Sequence, residues 1–173
     1  GNKSVRFREI ITARNKTKPP PSLPVPTGTV RTTQEIFETL RPRRGRSNHA
    51  IPVARALDLP EVDLLIDPYV LGAWLGDGTS RSGGITGLDA PIWKEIEHAG
   101  FRVTHGKRSS AHTIHGLVGK LRILGVLNNK HVPLIYLRAS KAQRLALLQG
   151  LMDIDGTTCA SGSVEFCNTN RRL

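Results

Sequence analysis

Two segments of the chain carry the clearest helical pattern of apolar and polar positions. The first covers Tyr69–Gly76 and follows an Asp-Pro pair, in which the aspartate is a good N-cap and the proline suits the first helical position. The second follows a capping box that begins at Ser140 and runs through Ile154. Each predicted helix stops at an Asp-Gly pair, the first at Asp77 and the second at Asp155.

Shorter elements are predicted around these two helices. Apolar spacing and turn residues indicate helices at 89–100 and 117–124 and strands at 83–87, 101–105, 111–115 and 163–167. Nearer the N-terminus, the sequence predicts a short helix after a capping box at 32–35, a strand at 48–54 and a turn at 57–60. This mixture of helices and short strands predicts an α+β fold.

Both long helices contain a glycine five residues before the terminal aspartate, at Gly72 and Gly150, and the two copies are 78 residues apart. Because glycine inside a helix costs about 1 kcal/mol relative to alanine, matched glycines point to close helix packing. Gly72, Ala73 and Gly76 share one face, which predicts a contact with the second helix near Gly150. Parallel packing would place Asp77 beside the second terminal aspartate. The alternative is that each Asp-Gly pair only closes its helix through a turn.

Adjacent carboxylates at two helix C-termini repel each other and also face the negative ends of the helix dipoles. A divalent cation removes that cost, and carboxylate, carbonyl and water ligands suit Mg²⁺. Metal ions of this kind orient a water and stabilise the leaving oxygen in phosphodiester hydrolysis. The pattern therefore predicts a Mg²⁺ site for phosphodiester chemistry.

Charge is distributed unevenly along the 173 residues, whose formal net charge is +11. Residues 1–46 carry 11 Lys and Arg against 3 acidic residues, and no acid occurs between Glu97 and Asp153. A solvated basic surface is one interpretation, but two basic regions favour a nucleic-acid partner. The candidate DNA contacts are the basic or polar residues Arg43, Arg44, Arg46, Arg81, Arg102, Lys107, Arg108 and His112.

The histidines and cysteines indicate neither a metal site nor a disulfide framework. His112 and His115 are three residues apart on a predicted strand and so lie on opposite faces, which favours structural or DNA-facing roles over metal ligation. Cys159 and Cys167 fit neither a disulfide framework nor a zinc site and are expected to be free thiols. No apolar run approaches the ~18 residues that cross a bilayer, so a soluble, cytoplasmic protein without a membrane partner is expected.

Three blocks resemble the LAGLIDADG homing endonucleases, specifically the endonuclease region of inteins. The first is Leu71–Gly78, in which Leu75 stands where the family name shows its first Asp, and the second is Leu148–Gly156. Between them, Asn129–Tyr136 is similar to the block that carries the family's active-site lysine, which maps onto Lys130. The resemblance runs from about residue 28 to the end of the chain.

This resemblance implies a pseudo-symmetric pair of αββαββα units whose sheets form a DNA saddle. It implies a metal-dependent, site-specific endonuclease for double-stranded DNA, with Asp77, Asp155 and Lys130 as catalytic residues. The metal ligands would be the two aspartates and the backbone of Gly76 and Ile154. The expected divisions are a basic Pro-rich arm at 1–27, a short helix and basic linker at 28–66, a first unit at 67–139 and a partial second unit at 140–173.

Two departures from the family pattern bear on the prediction. The intein splicing blocks are absent, and only 17 residues follow Gly156, so the second unit is expected to be incomplete. Lys130 also has an ordinary interpretation as a loop lysine. The alternatives are a noncatalytic DNA-binding module or an intein fragment without cleavage activity. Flanking splicing segments or a complementing chain are therefore further candidate partners.

Overall fold

The computed structural model describes residues 28–40, 49, 54–86, 89–106, 111–159 and 163–173. The predicted arm at 1–27, the basic loop after residue 40 and most of the strand predicted at 48–54 lie outside these ranges. The described residues fall into two compact units, one within Asn15–Ala56 and one within Leu57–Leu173.

The smaller unit contains helix α1, Thr33–Thr39. Its N-terminus has the predicted capping box, because Thr32 Oγ1 accepts from the Glu35 backbone at 3.2 Å and Glu35 Oε2 accepts from the Thr32 backbone at 2.7 Å. No residue of α1 is buried. The helix is therefore fixed by its cap, with no core of its own among the described residues.

In its described residues, the larger unit combines five helices with two small antiparallel sheets, which confirms the α+β class. None of the described helices has the length and apolar character needed to cross a membrane. One sheet has the order β1-β3-β2 and the other is the hairpin β4-β5. In chain order the elements are α2 Pro68–Asp77, β1 Gly84–Thr86, α3 Ala90–His98, β2 Val103–His105, β3 Ala111–Ile114, α4 Leu117–Ile123, α5 Leu134–Leu137, α6 Lys141–Asp155, β4 Gly156–Thr158 and β5 Val164–Phe166.

Helix α2 lies at the centre of the core. Seven consecutive residues, Tyr69–Leu75, are buried, as expected for a helix that is apolar on every side. Asp67 caps its N-terminus by accepting from two backbone N–H groups, at 2.9 Å and 3.2 Å, and Pro68 is the first helical residue. The predicted start of this helix is confirmed, and α3, α4 and α6 supply the apolar side chains around it.

The three-stranded sheet follows α2 through a short turn. Gly78 forms an isolated antiparallel bridge with Ile85 before β1 begins. Strand β3 pairs with both neighbours, so that Thr113 lies opposite Gly84 on one side and Thr104 on the other. From α2 to α4 the order is therefore helix, bridge, strand, helix, two strands and helix.

The turn predicted at residues 57–60 is absent, so that prediction is wrong. Residues 54–64 have no regular secondary structure. Side chains at the start of α6 bond the backbone of residues 57 and 62: Gln143 Nε2 donates to Val62 O at 2.6 Å and Arg144 donates to Leu57 O. These long-range bonds replace the local bond that would have closed a turn.

Candidate active site

Helices α2 and α6 pack in parallel with their backbones in contact. A Cβ atom at Gly72 would lie 2.1 Å from Leu147 O, and one at Gly150 would lie 2.1 Å from Tyr69 O. Neither position has room for any side chain, because both obstructing atoms belong to backbone. The contact expected from the matched glycines is present, with Ala73 beside it.

The parallel arrangement brings the ends of both helices to one place. Gly76 faces the last turn of α6, where its Cβ would lie 2.9 Å from the Ile154 side chain and 3.7 Å from the carboxyl carbon of Asp155. Asp77 is the next residue of α2. Burial raises the pKa of the Asp77 carboxyl, and the nearby Asp155 carboxylate raises it further. The two carboxylates therefore share one electrostatic environment.

Lys130 supplies the positive charge at this end of α2. Its ammonium donates to Leu75 O at 3.0 Å and Gly76 O at 3.3 Å and lies 5.1 Å from the centre of the Trp74 ring. Burial lowers the pKa of Lys130, whereas the carboxylates of Asp77 and Asp155 act in the opposite direction. The three residues predicted to be catalytic therefore lie at one place in the structure. The Gly76 carbonyl, which is predicted as a metal ligand, accepts a hydrogen bond from Lys130.

The loop that carries Lys130 is held by a backbone bond to the turn after α2. Asn128 adopts φ 58°, in the left-handed region that asparagine tolerates, and its N–H donates to Ser80 O at 2.8 Å. Trp74 Nε1 donates to Ser82 O of the same turn at 2.9 Å. The lysine therefore reaches α2 from a loop that is tied to the turn leaving that helix.

Two asparagines that the sequence analysis missed also contact the site. Asn168 Nδ2 donates to Asp155 Oδ2 at 3.2 Å, and Asn170 Nδ2 donates to Lys130 O at 2.8 Å. Both follow strand β5. The only sequence signal is an Asn-x-Asn spacing after a strand, which is typical of turns in general.

A second missed feature is a buried polar contact between the two helices. Tyr69 Oη donates to Asp153 Oδ2 at 2.8 Å, and Asp153 is 4 % exposed. In the 78-residue repeat, Asp153 corresponds to Leu75 and Tyr69 to Leu147. The repeat is therefore asymmetric at this point, since one polar pair takes the place of two apolar positions.

The predicted DNA contacts divide into three groups. Arg81 is exposed in the turn after α2, and Arg102 is exposed beside β2, where it lies 3.2 Å from His115 Nδ1. His112 is treated separately below. The remaining basic residues lie outside the described ranges, and they are Arg43, Arg44, Arg46, Lys107 and Arg108.

His112 lies on the inner face of the sheet, so its predicted DNA contact is not available to it. The side chain is 8 % exposed, its ring centre is 4.2 Å from that of Trp93, and its Nδ1 is 2.9 Å from His105 Nδ1. His115 is on the opposite face, as the alternation predicted, with Nε2 2.6 Å from Thr104 Oγ1. Ile114 of β3 is buried on the same face as His112, and Trp93 of α3 packs against His112 there.

The site residues fit a small divalent cation held by few protein ligands. No group of three or more His, Cys, Asp and Glu side chains with metal-binding geometry occurs in the described part of the chain. The available ligand atoms are the carboxylate oxygens of Asp77 and Asp155, which are the hard oxygen ligands that Mg²⁺ accepts while keeping several waters.

Replacing Asp77 by asparagine is expected to raise the free energy of unfolding at pH 7 in EDTA. A carboxyl with a raised folded pKa gives its full stability below its unfolded pKa, and that stability is lost as the pH rises through the folded pKa. The gain should stay below about 1 kcal/mol, since the side chain is largely exposed, and should shrink towards pH 4. Urea denaturation measures both values.

The charge-matched control is Glu97→Gln, on the exposed side of α3. It should leave the free energy of unfolding nearly unchanged. A less stable Asp77→Asn protein would contradict the described electrostatics, because it would mean that attraction to Lys130 outweighs burial and repulsion.

Comparison with known proteins gives one informative match. No family model matches the chain. A curated protein described as the replicative DNA helicase DnaB of Mycobacterium intracellulare is 51% identical over 146 residues, which cover 83% of this chain and 24% of that protein. The chain thus spans about a quarter of the length of the curated relative it matches.

Proposed function

We propose that the chain is the endonuclease region of a LAGLIDADG homing endonuclease from an intein and cleaves double-stranded DNA with Mg²⁺. The observation that carries the proposal is the pair of parallel helices ending at Asp77 and Asp155, with Lys130 at the same end. The order of α2, the Gly78 bridge, β1, α3, β2, β3 and α4 is compatible with one αββαββα unit. Helix α6 with β4 and β5 then begins the second unit.

In this proposal the chain's residues hold the reacting groups and balance their charge. Asp77 and Asp155 would hold the metal, with the backbone of Gly76 and Ile154 as the further proposed ligands. Bound Mg²⁺ supplies a Lewis acid that orients a water and stabilises the leaving oxygen. Lys130 reduces the negative charge at the helix ends, where the scissile phosphate must approach two carboxylates.

The outer face of the three-stranded sheet is the proposed DNA surface. Thr104 and Thr113 are exposed there, beside Arg102 and the partly exposed His115. These side chains offer donors and acceptors to base edges and phosphates. The acid-free sequence from 98 to 152 adds a positive field to this part of the chain.

The match to a DnaB helicase supports a helicase gene as the host. The two sequences are 51% identical over 83% of this chain, and these residues make up 24% of the relative. An intein inserted in a helicase gene is compatible with this match. Flanking splicing segments or a complementing chain then remain the proposed protein partners.

Cleavage of a randomised duplex library tests the proposal. The protein should produce double-strand ends at a restricted set of sequences in Mg²⁺ and none in EDTA, as read by sequencing the ends. Tight DNA binding without cleavage in any divalent metal would instead favour the noncatalytic DNA-binding module. That alternative is supported by the basic surface, which does not need the aspartate pair.

DNA affinity is expected to depend steeply on salt. With six to ten phosphate contacts, the affinity should fall by about 10³- to 10⁵-fold between 50 and 200 mM salt. Replacing Arg43, Arg44 and Arg46 by glutamine should reduce the slope of log affinity against log salt by up to about 0.9 for each lost contact. Fluorescence anisotropy at several salt concentrations measures this slope.

The control for the triple variant is Arg31→Gln, just before helix α1. Arg31 lies 3.6 Å from Glu35, so its charge is already partly balanced. Its slope should match that of the unaltered protein. An unchanged slope in the triple variant would show that these three arginines do not contact DNA phosphate.

A further inference from the structure

The segment after β5 is built from two consecutive asparagine turns. Asn168 Oδ1 accepts from the Asn170 backbone at 2.8 Å, and Asn170 Oδ1 accepts from the Arg172 backbone at 3.1 Å. In each turn the side-chain oxygen bonds the backbone two residues on. The oxygen of each amide thus shapes the segment and leaves its NH₂ group to bond elsewhere.

Both NH₂ groups point to the site described above. The NH₂ group of Asn168 donates to a carboxylate oxygen of Asp155 at 3.2 Å, and that of Asn170 donates to the carbonyl of Lys130 at 2.8 Å. These bonds connect residues 13 and 40 positions apart in the sequence. One short segment therefore contacts a charged group of α6 and the backbone of the lysine loop at once.

Further contacts fix the segment against the same loop. Arg172 donates to the Asn129 side chain, and the Val132 N–H donates to Arg172 O at 3.5 Å. Phe166 and Leu173, on either side of the asparagines, pack against the hydrophobic core. The segment is anchored at both ends, so its amides have defined positions relative to Asp155.

We propose that Asn168 and Asn170 are positioning residues for the metal-dependent reaction, and this inference rests on the proposed function. Asn168 donates to Asp155 Oδ2, which orients the carboxylate that would hold the cation. Asn170 donates to Lys130 O and so fixes the position of the lysine loop relative to the end of α2. Hydrogen bonds of this kind to metal-binding carboxylates orient the ligand, and their loss costs about 10- to 100-fold in metal affinity or activity.

Serine at these positions separates positioning from folding of the segment. A serine hydroxyl can accept the same backbone bond in its turn, more weakly, but is too short to reach Asp155 or Lys130. If the asparagines serve only the turn, Asn168→Ser should resemble the unaltered protein. Thr169→Ala is the matched control, because Thr169 is exposed and lies between the two asparagines.

The experiment measures Mn²⁺ affinity by calorimetry and, separately, kcat and KM for DNA cleavage. Asn168→Ser should weaken Mn²⁺ binding by about 10- to 100-fold and lower kcat without changing KM for DNA. Asn170→Ser should lower kcat and leave Mn²⁺ affinity unchanged, since it acts through Lys130. Equal Mn²⁺ affinity and kcat for Asn168→Ser and Thr169→Ala would overturn the inference.

A thermal double-mutant cycle in EDTA keeps the inference testable if the protein neither cuts DNA nor binds Mn²⁺. Asn168→Ser should lower Tm by about 2–4 °C, and this shift should disappear in the Asp155→Ala background. The same shift in both backgrounds would show that Asn168 does not act through Asp155. If the protein binds no metal but the double-mutant cycle shows coupling between Asn168 and Asp155, the proposed function is rejected. The contact that positions Asp155 is then retained.

Discussion

Replacing Asp155 by asparagine is expected to lower Mg²⁺-dependent DNA cleavage by more than about 100-fold, since even residues that only orient a metal ligand cost about 10- to 100-fold. The substitution keeps the shape of the side chain and an oxygen that can accept the bond from Asn168. The fold should therefore survive. DNA affinity in Ca²⁺ should be equal or higher, because one negative charge near the phosphates is gone.

The control for this prediction is Glu165→Gln on strand β5, which removes the same charge from an exposed side chain. It should retain full cleavage. Single-turnover cleavage rates and anisotropy titrations on the same DNA separate catalysis from binding. Undiminished cleavage by Asp155→Asn would remove the aspartate pair from the reaction and leave the DNA-binding surface unaffected.

Alanine at Gly150 is expected to destabilise the protein by more than about 3 kcal/mol, at the upper end of overpacking effects. Its Cβ would lie 2.1 Å from Tyr69 O and 2.7 Å from Ala73 N, both backbone atoms of α2. Relief requires the two helices to separate, which also moves Asp155 away from Asp77. Loss of the folded state is within this expectation, since domains have only about 5–15 kcal/mol to lose.

Gly119→Ala is the same substitution at a position where it should stabilise the protein. Gly119 is exposed on α4 and has nothing within 4 Å of its Cβ position. Alanine there should stabilise the protein by up to about 1 kcal/mol, because it is the better helix former. Urea unfolding followed by circular dichroism compares the two variants. A Gly150→Ala protein as stable as the unaltered protein would contradict the close helix contact.

The ends of the helices were predictable because their signals are local. The capping residues Asp67 and Ser140 lie within three residues of the N–H groups they bond, so sequence spacing alone identifies them. The glycine repeat also predicted the contact of α2 and α6, since Gly72 and Gly150 are costly in helices that do not touch.

The partners of the site could not be predicted because they depend on tertiary structure. Helix α5 went unrecognised within the block assigned to Lys130, and the amide of Asn168 reaches Asp155 only after the β4-β5 hairpin has folded back. His112 shows the limit of strand alternation. Its period separates the two faces of β3, and the buried face is the one that holds His112 and Ile114 and meets Trp93 of α3.

Anomalous scattering from crystals of the protein soaked in Mn²⁺ tests the central claim most directly. The account predicts a Mn²⁺ peak at the paired ends of α2 and α6, within about 2.0–2.6 Å of carboxylate oxygens of Asp77 or Asp155. The peak should vanish in Asp155→Asn crystals. Carboxylates more than about 8 Å apart, or Mn²⁺ bound only elsewhere, would contradict a shared metal site at the helix ends.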